Sequence, residues 1–159
     1  LVIGRFQPFH KGHAYLIEKS LEFAEKIVIG IGSSNISDHN NPLTYQQRKK
    51  LVDLFITHQH IQNKVLKVVP LPDIPDDDMW FRETRKTVGK FDVVIGNNDW
   101  VNGIFQRFEI PVIPVEHYQR FLYEGYKIRA LMRNNIPWEE RVPDYLINSL
   151  KKTAKTLRK

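Results

Sequence analysis

Short apolar blocks recur along this chain, separated by longer amphipathic stretches. Leu1–Gly4 (LVIG) is an unbroken apolar run closed by a glycine, and KIVIGIGS, KVLKVVPLP, FDVVIG and IPVIPVE repeat the theme. Continuous apolar runs between turn signals read as strands buried on both faces. The prolines of IPVIPVE place that strand at an edge. Between the blocks the period changes to that of a helix. His13–Lys26 sets Leu16, Ile17, Leu21 and Ala24 on one face. PLTYQQRKKLVDLF opens with a capping box, Thr44 with Gln47, ahead of Leu51, Leu54 and Phe55. DDDMWFRETRKTV has an acidic first turn, which suits the helix dipole. NDWVNGIFQRF reads as a short helix, and Tyr126–Asn134 and Pro143–Thr156 as two more.

Strands alternating with helices predict an α/β fold: a doubly wound, Rossmann-like, five-stranded parallel sheet with helices on both faces. The expected organisation is one domain over residues 1–159, ending in a helical segment over about 126–156. Ligands in such folds bind beyond the carboxyl ends of the strands. The loops 4–13, 32–44, 70–80 and 96–100 all fall there.

Composition narrows the partners. The chain is 42% hydrophobic and 26% charged, ordinary for a soluble globular protein. It has no cysteine, which excludes disulfides and thiolate chemistry and is compatible with the cytoplasm. No apolar run approaches the roughly 18 residues of a membrane span, so no membrane partner is expected. The opening LVIGRFQPF lacks the long apolar region of a signal peptide. It also lacks an initiator Met, so at least that residue is expected to precede Leu1. The net charge of +6 and a pI near 9.5 favour anionic partners, although much of the charge lies in the tail LKKTAKTLRK.

The first turn, GRFQPFHKGH, concentrates the chemistry. Gly4 ends the strand where close approach of backbone is useful, and Pro8 stiffens the loop. Gly12 stands before the expected helix, whose free N–H groups make an anion site. His10 and His13, three apart, point the same way, and either imidazole is open to being charged near neutral pH. Arg5 and Lys11 add permanent positive charge. Together these residues describe a phosphate cradle. Two histidines without a third ligand at suitable spacing are a weak metal site. A lone imidazole there would more simply cap the helix.

His10-Lys11-Gly12-His13 resembles the HxGH signature of nucleotidyltransferases. The longer set GRFQPFHKGH, IGIGSSN, NPLTYQQR, PLPDIPDDDMW, VVIGNNDWV, YEGYKIRALM and PWEERVP resembles the archaeal-type nicotinamide mononucleotide (NMN) adenylyltransferases along nearly the whole chain. The resemblance implies ATP and NMN as substrates, NAD and pyrophosphate as products, and Mg²⁺ carried in with ATP without a fixed protein metal site. It implies catalytic roles for His10, His13 and Arg129. Phosphate contacts fall to Arg5, Lys11 and Arg48, with Gly4 and Gly12 alongside. On the NMN side it points to Asp73, Ile74, Asp77, Trp80, Gly96 and Asn97, with Trp80 stacking on the nicotinamide ring. Asp77, where related enzymes often have Asn, would favour NMN over nicotinic acid mononucleotide. Gly32-Ser33 lies at the same sheet edge. Trp100 and Trp138 read as core or interface aromatics. Related archaeal enzymes are homo-oligomers, often hexamers.

One departure stands out. Where the family has Ser and Thr ahead of Arg129, this chain has Glu124 and Tyr126. Glu124 cannot act as a neutral donor to phosphate; binding Mg²⁺ and turning outward both stay open. Two rivals also remain at this level: another HxGH transferase acting on a flavin, pantetheine or alcohol phosphate, and an impaired nucleotide- or RNA-binding module. Nucleic acid is disfavoured, because the relevant basic residues cluster at sheet-edge loops and form no exposed stripe.

Overall fold

The structure, a computed structural model, describes residues 1–157. Strands β1 (Val2–Gly4), β2 (Ile27–Ile31), β3 (Val65–Pro70), β4 (Val94–Gly96) and β5 (Val112–Pro114) alternate with helices. The helices are α1 (Lys11–Phe23), α2 (Tyr45–His58), α3 (Asp77–Val88), α4 (Asp99–Arg107), α5 (Gly125–Arg133) and α6 (Ile147–Leu157). Two 3-10 turns, Glu139–Arg141 and Asp144–Leu146, delay the last helix past Pro143, where the sequence pattern had begun it.

All strand pairs are parallel, but the expected single five-stranded sheet is replaced by two sheets, β1-β2-β3 and β4-β5. The reason lies at β1 and β4, each three residues long. Between them, one backbone bond runs from Ile95 N–H to the Leu1 carbonyl (2.9 Å), and the Leu1 ammonium donates to the Val93 carbonyl (2.7 Å). That is one bridging residue where a ladder needs several, so the sheets lie edge by edge. β5 pairs only with β4, the edge position its prolines require.

Alternation along the strands builds two cores, one on each face. Val2, Ile27, Ile29 and Ile31 pack with Ile17 of α1, Phe55 of α2, Ile128 of α5 and Leu150 of α6. Leu1 and Val28 point the other way and join Val69, Trp80 of α3 and Phe105 of α4. The sheets are therefore covered on both sides, and the loops after β1, β2, β3 and β4 are left free at one end.

Candidate active site

The turn after β1 folds around its two histidines. His10 is the N-cap of α1, so the helix begins at Lys11, two residues before the start read from periodicity. Its Nδ1 accepts the His13 backbone N–H, while His13 Nδ1 accepts the His10 backbone N–H, both at 3.3 Å. Two imidazoles thus perform the reciprocal exchange that Thr44 and Gln47 perform, as expected, at the head of α2. Because each Nδ1 is an acceptor, each neutral ring carries its proton on Nε2. The rings stack with centroids 3.7 Å apart. Phe6 and Phe9 close on His13 at 4.6 and 5.7 Å.

This apolar packing decides the charge. Burial lowers the His10 pKa to about 3, against the opposing pull of the Glu124 carboxylate and a backbone hydrogen bond. Burial, reinforced by His10, holds His13 well below its ordinary value. Both shifts favour neutral rings that donate through Nε2–H near neutral pH, against the expectation of a cation there.

Glycines make the packing possible. A Cβ on Gly4 would sit 2.9 Å from the Phe6 ring, and one on Gly12 would sit 3.1 Å from the His10 ring. Phe6 and Ser33 adopt left-handed φ values of 53° and 51°. Such backbone costs about 1–3 kcal/mol and persists only where neighbours enforce it.

The enforcing group is Arg48. Sequence alone allowed a surface arginine; the side chain is fully buried. Its guanidinium donates to the carbonyls of Arg5 (2.9 Å), Gly32 (2.6 Å) and Ser33 (3.0 Å), and its Nε to Thr44 (3.4 Å). Three of the five guanidinium N–H groups therefore bind the two loops that carry Phe6 and Ser33, and a fourth binds the N-cap of its own helix. Burial lowers its pKa, with Asp73 opposing.

Two adjoining cavities open at the strand ends, and Arg5 lines both. One, of about 180 Å³, is lined by His10, His13, Arg129, Gly125 and Tyr126. Here Arg129 donates to the Gln7 carbonyl, and its Nε has no acceptor among the described residues. Burial and the neighbouring Arg133 and Arg5 lower its pKa. Guanidinium groups crowded in this way call for an anion. The second cavity is lined by Gly4, Ser33, Asp73, Trp80, Asn98 and Trp100.

The remaining expected residues divide. Asp73 accepts from Ser33 Oγ at 2.9 Å, and its backbone N–H and C=O are both held by the Asn35 carboxamide. Ile74 packs against the α3–α4 core. Asp77 faces Arg107 of α4 at 3.3 Å and lines neither cavity. Lys11, on the first turn of α1, also lines neither. Gly96 accepts from buried Asn102, whose Oδ1 would stand 3.0 Å from an added Cβ. Asn97 follows β4, but its neighbour Asn98, the cap of α4, reaches the cavity wall.

Residues 1–131 match the family model described as cytidylyltransferase-like. The chain belongs to the cytidylyltransferase-like family. It is 35% identical over 150 residues to a nicotinamide-nucleotide adenylyltransferase of Methanosphaerula palustris, covering 94% of this chain and 88% of that one. Among solved structures it superposes on a bifunctional NMN adenylyltransferase/ADP ribose pyrophosphatase from Francisella tularensis with a TM-score of 0.80 and 28% identity. The match covers 99% of this chain and 48% of that one, so this chain spans about half the length of the bifunctional protein. The same Francisella protein complexed with AMP and Mn ion gives a TM-score of 0.77 at 25% identity, covering 98% and 50%.

Within this cytidylyltransferase-like chain, two site features escaped sequence reasoning. Gln7 is buried and exchanges two hydrogen bonds with the Leu43 backbone, tying the HxGH turn to the head of α2. Its only signal was a polar residue between two phenylalanines. Trp100, expected in a core or an interface, is 57% exposed on the cavity wall, whereas Trp138 is buried as expected. Its position on the first turn of a short helix after β4 was the available clue.

Proposed function

We infer that this chain is a nicotinamide-nucleotide adenylyltransferase, which joins ATP and NMN to give NAD and pyrophosphate. The observation that carries this reading is the convergence of His10, His13, Arg5 and Arg129 on one cavity beside the head of α5. The close kinship with nicotinamide-nucleotide adenylyltransferases directs it to NMN.

The NMN phosphate oxygen attacks the α-phosphorus of ATP; that bond forms as the bond to the β-phosphate oxygen breaks and pyrophosphate departs. The nucleophile is already an anion, so no side-chain base is required. The protein supplies alignment and donors aimed at growing negative charge. The Nε2–H groups of His10 and His13 donate to the phosphates as neutral groups. Arg5, shared by both cavities, and Arg129 supply the positive charge, with Lys11 contributing from the first turn of α1. Arg48 acts on the phosphates through the loops it fixes. The nicotinamide lies in the second cavity, against Trp100 with Trp80 packed behind it, and beside Asp73, Ile74 and the Gly96-Asn97 turn. Mg²⁺ enters with ATP, a role in keeping with the AMP and Mn ion of the Francisella complex. Homo-oligomeric assembly and a cytoplasmic location belong to the same reading.

The test is direct. Purified protein incubated with ATP, Mg²⁺ and NMN is expected to form NAD and pyrophosphate in equal amounts, with a higher kcat/KM than for nicotinic acid mononucleotide. Preference for the acid would reject amide selectivity. Pyrophosphate formed only with a flavin, pantetheine or alcohol phosphate would replace the reading with another transferase of this family.

A further inference from the structure

Glu124 is the N-cap of α5 but makes no capping hydrogen bond. Serine or threonine at such a position uses its oxygen to satisfy a backbone N–H of the first turn. Here the carboxylate swings away and is held between Arg120 at 3.0 Å and Lys127 at 2.7 Å. Among the described residues, no acceptor meets the backbone N–H groups of Gly125, Tyr126 and Lys127. Gly125 and Tyr126 line the cavity with His10 and Arg129, and the Lys127 ammonium lies 5.7 Å from the Tyr126 ring. The Arg120–Glu124–Lys127 cluster does not line the cavity itself but adjoins its wall at Gly125 and Tyr126, and the field of Glu124 reaches His10.

The arrangement is easily exchanged. Arg120 is 63% exposed and Lys127 38% exposed, so water screens both pairs with Glu124. Such pairs contribute little to stability. A polyphosphate brings several negative charges and many acceptor oxygens to the same two cations, and the unpaired N–H groups of α5 lie beside them. We propose that Arg120 and Lys127 are two further cations of the polyphosphate site, held by Glu124, which competes with ATP and pyrophosphate for them. This rests on the adenylyltransferase reading. It assigns a role to the acidic residue that departs from the family pattern: Glu124 lets the cations turn to the incoming triphosphate and reclaims them as pyrophosphate leaves.

Calorimetric titration with inorganic pyrophosphate tests the proposal without turnover. Glu124→Gln, which keeps shape and removes charge, should bind pyrophosphate about twofold to fivefold more tightly, the range that exchange of a screened ion pair supports. Arg120→Ala and Lys127→Ala should each bind it more weakly by a similar factor, and they read the same contact if the Gln variant folds poorly. Unchanged or weaker binding by a folded Glu124→Gln overturns the proposal. So does a loss in that variant that is recovered by raising Mg²⁺, which would make Glu124 a metal ligand. NAD formation by the unaltered protein is scored separately. Its absence sinks the adenylyltransferase reading, whereas flat pyrophosphate affinity across the variants sinks this proposal alone.

Discussion

His10 and His13 cap each other's backbone across one helical turn, with each Nδ1 on the other's amide N–H at 3.3 Å. The exchange fixes both rings, fixes their tautomer and leaves Nε2–H as the only donor each can offer a phosphate. A cation would attract phosphate more strongly, but a neutral donor held in place needs no reorganisation as charge develops.

Neutral burial makes stability depend on pH. The folded His10 pKa is about 3 and that of His13 lies well below 6.5, the ordinary value each regains on unfolding. Below the unfolded value the unfolded chain binds protons that the folded chain refuses, so acid favours unfolding. The contribution is complete above about pH 6.5 and is lost as pH falls toward the folded values. Within that window each histidine costs about 1.4 kcal/mol per pH unit. Urea unfolding midpoints measured from pH 8 to pH 5 should fall for the natural protein and fall less steeply for His10→Asn. Equal slopes would show that the ring is not buried neutral.

Removing one donor should act on the transition state more than on binding. His13→Ala is expected to lower kcat by about 10²–10³, in line with the loss of one oxyanion donor, with a smaller change in KM for ATP. Steady-state kinetics of NAD formation provide the measurement. An unchanged kcat would remove His13 from the catalytic set.

Arg48 gives a prediction of a different kind, because its partners are carbonyls. Lysine keeps the charge but cannot fork to Arg5, Gly32 and Ser33 together. Arg48→Lys leaves buried carbonyls unpaired and releases the loops around Phe6 and Ser33, at a cost of about 2–4 kcal/mol. A thermal midpoint lowered by several degrees should accompany loss of NAD formation. Loss of activity with an unchanged midpoint would instead favour direct contact between Arg48 and phosphate.

These contrasts mark what the sequence could say. Element types were legible because buried parallel strands and capping boxes are local patterns; Thr44 with Gln47 behaves as read. The HxGH turn was legible as the place where two imidazoles and an arginine gather at a strand end, and they do line one cavity. Sheet continuity was not, since it hangs on a single residue, Leu1, bonded to Ile95 and Val93. Nor was the role of Arg48, because a polar face on one helix does not reveal that loops 43 and 16 residues away in sequence fold over it. The charge of His13 was equally hidden, being set by the rings of Phe6, Phe9 and His10, which close on it only in three dimensions.

Trp100 carries the last prediction. Trp80 is 5% exposed and meets Phe105 edge-on, so little of its face is free. Trp100 stands beside it, with centroids 5.8 Å apart, and keeps 57% of its surface open on the cavity wall. A flat, electron-poor ring entering that cavity therefore meets Trp100 as its accessible aromatic face. Binding of NMN or NAD should quench tryptophan fluorescence in the natural protein, since Trp138 is buried at 2% exposure and Trp80 is nearly so. Trp100→Phe should abolish most of that quenching while keeping a smaller stacking surface. Trp100→Ala should weaken NMN by about fivefold to 150-fold, the range for loss of one base–aromatic stack of about 1–3 kcal/mol. If quenching survives intact in Trp100→Phe, the ring lies against Trp80 after all, and the wall must open to admit it.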